Sequence, residues 1–197
     1  VAPRNETELS SVMAVRRRLL EWVGGPGWSE VRGIADSLVE SLARGGAVFS
    51  CGNGGSASQA EHFAAELAGR YKLDRKSLPV FSLATNTASL TAISNDFGFA
   101  EMFARQIEGI GKPGDCLVAM STSGNSANVV RACRVARSKG MKVLALGGGT
   151  GGEMAGECDA LLRVPETDAA LIQEIHMIAI HLICHYVEET LFGSAAR

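Results

Sequence analysis

Residues 47–70 read AVFSCGNGGSASQAEHFAAELAGR: a short apolar run, a turn made of glycine and small polar residues, then a stretch rich in helix formers. The glycines interrupt the run before Ala57–Arg70 takes up helical composition, so the segment predicts strand, loop, helix. The same unit recurs. LPVFSL (78–83) precedes a polar segment and a helix, DCLVAMS (115–121) precedes SANVVRACRVARSKG, KVLALGG (142–148) precedes GGEMAGE, and ALLRVP (160–165) is a last strand. Short apolar strands alternating with helices predict a parallel sheet covered on both faces.

Two helices precede this unit. From Glu6 to Val23, Leu9, Val12, Met13, Val15, Leu19, Leu20 and Val23 recur near helical spacing, and GGPG at 24–27 ends the run. Residues 29–43 repeat the pattern with Val31, Ile34, Leu38, Val39 and Leu42. A long, largely apolar helix from Asp168 to Leu191 closes the chain. The expectation is one α/β three-layer sandwich over 1–197: N-terminal helices (1–44), an α/β core with its closing helix (45–191), and a tail (192–197).

The chain has 197 residues, 46% hydrophobic and 20% charged, with a formal net charge of -2. It is long enough to bury a core, and its composition excludes collagenous and disordered classes. The near-neutral balance without a basic block argues against a nucleic-acid partner, because phosphate neutralisation needs clustered Lys and Arg. Five cysteines in no paired spacing suggest reduced thiols and a cytoplasmic location. The longest uncharged stretch, Ser77–Asn95, carries Pro79 and many polar residues, so no membrane span is expected there. VAPRNETELSS has no apolar h-region, so no signal peptide is expected. Glycine is in excess: 23 residues, where ordinary usage of ~7% would give about 14.

Ligands of open parallel sheets bind outside the carboxyl ends of the strands. Two loops there are unusual, Cys51-Gly-Asn-Gly-Gly-Ser56 and Ser121-Thr-Ser-Gly-Asn-Ser126. Each places small residues immediately before a helix, where free amides and the helix dipole meet an anion. Ser126 could be a plain N-cap, but that leaves the other hydroxyl and amide side chains of 121–125 unexplained. Phosphate is the ligand that fits. Neither loop ends in Gly-Lys-Ser or has GxGxxG spacing, so a nucleoside triphosphate is not expected.

A second constellation lies on helices. His62 and Glu66 are four apart and share a face. The closing helix adds Gln173, His176, His181 and His185, the histidines set in the apolar run IHMIAIHLICHYV. Buried histidines need a metal or a core hydrogen bond, and spacing alone does not choose among the three.

The motifs Ser50-Cys-Gly-Asn-Gly-Gly-Ser56, His62-Phe-Ala-Ala-Glu66, Arg70-Tyr71, Asn95-Asp96-Phe-Gly-Phe99, Ser121-Thr-Ser-Gly-Asn-Ser-Ala-Asn128 and Ile172-Gln-Glu-Ile-His176 with His181 resemble those of the sedoheptulose 7-phosphate isomerases. These are also called phosphoheptose isomerases, within the sugar isomerase (SIS) fold. The resemblance runs from the first helix to about Leu191. It implies a flavodoxin-like, five-stranded parallel sheet, a homotetramer with active sites at subunit contacts, and conversion of sedoheptulose 7-phosphate to D-glycero-D-manno-heptose 7-phosphate towards nucleotide-activated heptose. It implies that Ser121, Thr122, Ser123 and Ser126 hold the phosphate. Asn53, Gly54, Gly55, Ser56, Arg70, Asn95, Asp96 and Gln173 would contact the substrate, with Glu66 and His181 catalytic. It also implies one Zn²⁺ per subunit on His62, Glu66, Gln173 and His181, leaving His176 and His185 structural.

One departure stands out: Ala170, Leu171 and Ile172 lead to Gln173, where family members often carry an Asp and then a basic residue. A related SIS branch binds a replication initiator without isomerase activity. The intact His62, Glu66, Gln173 and His181 favour the enzyme. An isomerase acting on another ketose phosphate is the remaining alternative. The two leading helices and the closing helix carry more apolar surface than one sheet needs, which predicts a helical core between subunits.

Overall fold

The computed structural model describes residues 5–193, so 1–4 and the end of the expected tail lie outside the described residues. In chain order the elements are α1 (Glu6–Gly24), α2 (Trp28–Ala43), β1 (Val48–Gly52), α3 (Gly55–Ala68), β2 (Val80–Ser82), α4 (Thr87–Phe97), α5 (Ala104–Ile110), β3 (Cys116–Ser121), α6 (Ala127–Ser138), β4 (Lys142–Gly148), β5 (Ala160–Val164) and α7 (Ala169–Phe192). The five strands form one parallel sheet in the order β2-β1-β3-β4-β5. That is the order of flavodoxin-like doubly wound sheets. Every residue of β1 and β3 is buried, as a sheet covered on both faces requires.

Two expectations are corrected. GGEMAGE forms only a 3₁₀ turn at Glu153–Gly156, since three glycines in six residues oppose a longer helix. The segment after β2 holds two helices, α4 and α5, with a 3₁₀ turn at Phe99–Glu101 between them.

Helix starts follow local chemistry. Asn5 accepts from the Glu8 amide (2.9 Å), Asn86 from Ser89 (3.0 Å) and Asp168 from Ala170 (2.8 Å), capping α1, α4 and α7. One side of the sheet packs against Val31, Ile34 and Leu38 of α2, Phe63 and Leu67 of α3, and Ile175, Ile180 and Ile183 of α7. The other carries Phe103 and Ile107 of the α5 region and Val129, Ala132 and Cys133 of α6. Burying each large side chain contributes about 1.5–3 kcal/mol. All five cysteines are free and four are buried.

By length and composition α7 could cross a membrane. Here it lies against the sheet, α2 and α3, burying Ile172, Ile175, Ala179, Ile180 and Val187 together with two polar residues, His176 and Glu188.

His176 fixes α7 to the sheet. Its ring is fully buried and Nε2 lies 3.1 Å from the Gly147 carbonyl at the end of β4. A carbonyl only accepts, so Nε2 carries the hydrogen, and Nδ1 is a bare acceptor with no protein partner. Burial pushes the imidazole down to about 4, against a smaller upward pull from the Gly147 bond. The unfolded chain binds this proton as pH falls through the ordinary 6.5, whereas the folded chain waits until about 4. Stability from this group is therefore complete above about pH 6.5 and declines as pH falls towards 4. The loss should be on the order of 3 kcal/mol. Urea unfolding of the wild type and His176→Leu at pH 7 and pH 4.5 should show a shallower pH dependence in the variant; equal slopes would contradict the assignment.

Candidate active site

The chain leaves β1 on one side to form β2 and returns on the other as β3, so the sheet's switch point lies between β1 and β3. Ligands of such sheets bind at that crevice. Both unusual loops flank it, residues 53–55 after β1 and 122–126 after β3. They are bridged by a reciprocal amide pair: Asn53 Nδ2 donates to Asn128 Oδ1 and Asn128 Nδ2 donates to Asn53 Oδ1, both at 2.8 Å. Asn128 is fully buried, and its Oδ1 also accepts from the Val129 amide (3.0 Å). Gly54, at φ +54° and ψ -121°, turns the first loop into α3 in a conformation that L side chains rarely adopt.

The second loop has the shape of an anion cradle. Ser126 stands at the N-cap of α6, but its side chain caps no amide. Its hydroxyl instead lies 3.1 Å from that of Ser121, which is buried and also accepts from the Gly124 amide (3.1 Å). Ser123 Oγ accepts from Asn125 (3.2 Å). This hydroxyl cluster stands at the start of α6, the positive end of the helix, where an anion is favoured. Gly124, at φ +68°, lets the loop press against the 151–152 backbone, where any Cβ would collide with the Gly151 carbonyl. A cavity of about 260 Å³ borders the loop at Thr122, Ser123, Gly149 and Thr150. A cavity of about 440 Å³ lies at the amino ends of the strands, beside Ser41, Arg44, Lys112 and Lys142, and contains none of the candidate residues.

Beyond the first loop, α3 and α7 bring three side chains together. His62 Nε2 lies 2.9 Å from His181 Nε2 and 3.2 Å from Glu66 Oε1, and one atom from each residue falls within 4.8 Å of the others. The two imidazole rings meet edge to face, 5.1 Å between centroids. Two bare Nε2 atoms at this separation repel and two protonated ones clash, so the pair needs either one proton between them or a cation accepted by both. A nitrogen, nitrogen, carboxylate donor set fits a divalent metal such as zinc. Spacing left three histidines open on α7; only His181 joins this cluster, while His176 is buried beneath it and His185 is exposed.

The remaining candidates are dispersed. The Gln173 amide rests on α3 at Gly55, where an added Cβ would lie 2.7 Å from both Oε1 and Nε2. Ser56 is buried against Gly52. Arg70 is exposed just beyond α3. Asn95 and Asp96, at the exposed end of α4, bond to each other (2.8 Å). Within this chain these three are not gathered with the cluster or the hydroxyl loop among the described hydrogen bonds and ion pairs. Sequence reasoning missed Asn128 as a bridge, and Gln59, whose Nε2 donates to the Gln173 carbonyl (2.6 Å) while its buried Oε1 is unpartnered. Both sit in helical stretches where nothing in the local pattern sets them apart.

The SIS domain profile matches residues 13–148. The phosphoheptose isomerase of Rhodospirillum rubrum is 51% identical over 166 residues, 84% of this chain and 87% of that protein. This chain belongs to the phosphoheptose isomerase family. Its fold agrees. The structure of the phosphoheptose isomerase of Neisseria gonorrhoeae superposes with a TM-score of 0.87 at 37% identity, covering 93% of this chain and 98% of that one. That of Francisella tularensis gives 0.89 at 32% identity, covering 93% and 97%. The chain is accordingly an isomerase of the SIS fold, and the His62, Glu66 and His181 cluster is its candidate metal centre.

In this isomerase the amide bridge ties the two candidate loops together. Asn128→Ala removes both bridging bonds and leaves the Asn53 amide half-buried without its partner. It should cost roughly 2–3 kcal/mol of stability. A shift in denaturant midpoint worth less than about 0.5 kcal/mol would show that the bridge does not hold the loops.

Proposed function

We propose that this isomerase interconverts sedoheptulose 7-phosphate and D-glycero-D-manno-heptose 7-phosphate, the first step towards nucleotide-activated heptose. The observation that carries the reading is the convergence of His62 and Glu66, on the helix that follows switch-point strand β1, with His181 of α7, while a hydroxyl-lined loop follows the other switch-point strand, β3. The chain acts as one SIS domain in the cytoplasm, where its free thiols stay reduced.

The Ser121, Thr122, Ser123 and Ser126 hydroxyls and the start of α6 hold the phosphate with neutral donors. Asn53, Gly54, Gly55, Ser56 and Gln173 meet the sugar. Moving the carbonyl from C2 to C1 requires a base to take a proton from C1, an enediolate to form, and the proton to return to C2. The Glu66 carboxylate performs both carbon transfers. His181 either moves the hydroxyl proton from O1 to O2 or stabilises the negative oxygens. His62, Glu66 and His181, with Gln173 from the neighbouring turns of α7, would hold one Zn²⁺ per subunit, which would supply Lewis acidity for the carbonyl and the negative oxygens. Glu66 is a free base only when its carboxylate is released to the substrate.

Arg70, Asn95 and Asp96 complete the site from a neighbouring subunit in a homotetramer. Three features support this: all three residues are exposed, α4 buries none of its residues, and Phe81, Phe97 and Phe99 are each more than half exposed. Leu9, Met13 and Leu20 leave a second apolar strip exposed on α1.

Incubation with sedoheptulose 7-phosphate, followed by NMR, should give the aldose, and a chelator should suppress it. Glu66→Gln should lower kcat at least ~100-fold, and full activity in that variant would sink the base assignment. Light scattering should give the mass of a tetramer; a monomer would refute the shared site.

A further inference from the structure

The mechanism above leaves one buried charged pair unused. The Glu188 carboxylate on α7 is 1% exposed and the Arg75 side chain, in the loop after α3, is 2% exposed. Glu188 accepts from the amides of Tyr71 (3.1 Å), Lys72 (2.7 Å) and Leu73 (2.8 Å), and from Arg75 Nε (2.9 Å). The Arg75 guanidinium donates onward to the carbonyls of Leu67 (2.9 Å), Gly69 (3.1 Å) and Lys76 (3.0 Å), and to the carbonyl of Glu66 itself (3.1 Å). One ion pair thus fixes the backbone from the end of α3 through the following loop.

Such a pair is a poor device for stability alone, because desolvating two charges offsets much of their attraction. Its partners are the amides and carbonyls of a single loop, and that loop carries Tyr71. The Tyr71 ring stacks on His181, 5.9 Å between centroids at 28°. His62 meets His181 edge to face, 5.1 Å between centroids. Lys72 Nζ lies 5.1 Å from the Tyr71 ring centroid and His185 packs at 6.2 Å. The His181 imidazole thus packs against two rings, those of Tyr71 and His62, with its Nε2 2.9 Å from His62 Nε2.

We propose that Tyr71, locked in place by the Glu188–Arg75 pair, is a positioning residue that fixes the His181 imidazole for the isomerase's metal centre. The proposal rests on the metal reading given above. It assigns Glu188 and Arg75 to the orientation of the site, with the Glu66 end of α3 held by the same guanidinium. The polar requirement falls on Glu188 and Arg75, whereas the requirement at 71 is an aromatic face.

The test compares Tyr71→Phe, Tyr71→Leu and Glu188→Gln with the wild type in three measurements: Zn²⁺ affinity against a chromophoric chelator, kcat and KM for sedoheptulose 7-phosphate, and thermal unfolding. Tyr71→Phe should stay within about 2-fold of wild type in both affinity and kcat. Tyr71→Leu should weaken Zn²⁺ binding ~10-fold or more, as loss of a ligand-orienting neighbour does. Its kcat should fall by a similar factor while KM changes little, because the hydroxyl loop is untouched. Glu188→Gln should reproduce the Tyr71→Leu pattern; if it does not fold, Tyr71→Leu alone decides. Wild-type affinity and kcat in Tyr71→Leu, with only a lower melting temperature, would overturn the proposal. A wild type that turns over without binding Zn²⁺ would overturn the metal reading alone, and kcat of Tyr71→Leu would still decide the positioning role. A wild type that binds Zn²⁺ but leaves this sugar unchanged would overturn the substrate, with affinity then deciding.

Discussion

The structure depends on α3 and α7 lying side by side on one face of the sheet, running in the same direction. Their pairing sets three levels along the helices: Gln173 against Gly55, His181 against His62, and Glu188 against the loop that follows α3. Each level has a different chemistry. The first is a close approach of an amide to bare backbone, the second a cluster of metal-type donors, the third a buried ion pair. Because an α-helix advances about 5.4 Å per turn, a slip of one helix by a single turn would move the imidazoles out of reach of each other. The His176 bond to Gly147 prevents that slide by tying α7 to β4, the neighbour of the strand that carries the hydroxyl loop.

The site also divides its charge. The loop at 121–126 contains no charged residue, so an anion there is met by hydroxyls, amides and a helix terminus rather than by lysine or arginine. Ser126 illustrates how the sequence serves this. It occupies the capping position, yet its hydroxyl turns to Ser121 and the capping bond is not made. A side chain committed to its own helix would close the amides that an anion needs. The charged pair Arg75–Glu188 is kept instead beyond the cluster, at the end of α3, where it meets backbone, its own partner and the Phe192 ring under the guanidinium. There burial alone would raise the Glu188 carboxyl, but the Leu73, Lys72 and Tyr71 amides and Arg75 hold it below the ordinary carboxylate range.

Much of this was legible in the sequence, and the exceptions have physical causes. The strands could be read because each is a short apolar run stopped by glycine or polar residues, and β1, β3 and β4 are found within a residue of their expected bounds. His62 and Glu66 could be paired because a helix places i and i+4 on one face. The choice among His176, His181 and His185 could not be made from spacing, since it depends on which side of α7 faces α3 rather than β4. GGEMAGE looked helical from its composition, but it lies across the 122–126 loop, where Asn125 Oδ1 takes the Glu153 amide and Gly124 accepts from Met154. Glu188 carried a faint signal, an acid at the end of an apolar run, and its partner Arg75 is distant in sequence. Long-range polar pairs of this kind, Asn53 with Asn128 among them, leave no periodicity to detect.

The glycine excess follows from the same packing. Gly55 and Gly148 each have a side chain of α7 where a Cβ would stand, Gln173 at the first and Ile172 at the second. Any larger residue at either position would push α7 away from α3 or from β4. Gly124 and Gly152 have the same effect between the hydroxyl loop and its neighbour, where two backbones meet without room for a methyl group. Lost conformational entropy makes each of these glycines a cost to folding. They are tolerated because the chemistry lies where helix, strand end and loop must approach more closely than side chains allow, and composition shows this need before any motif is recognised.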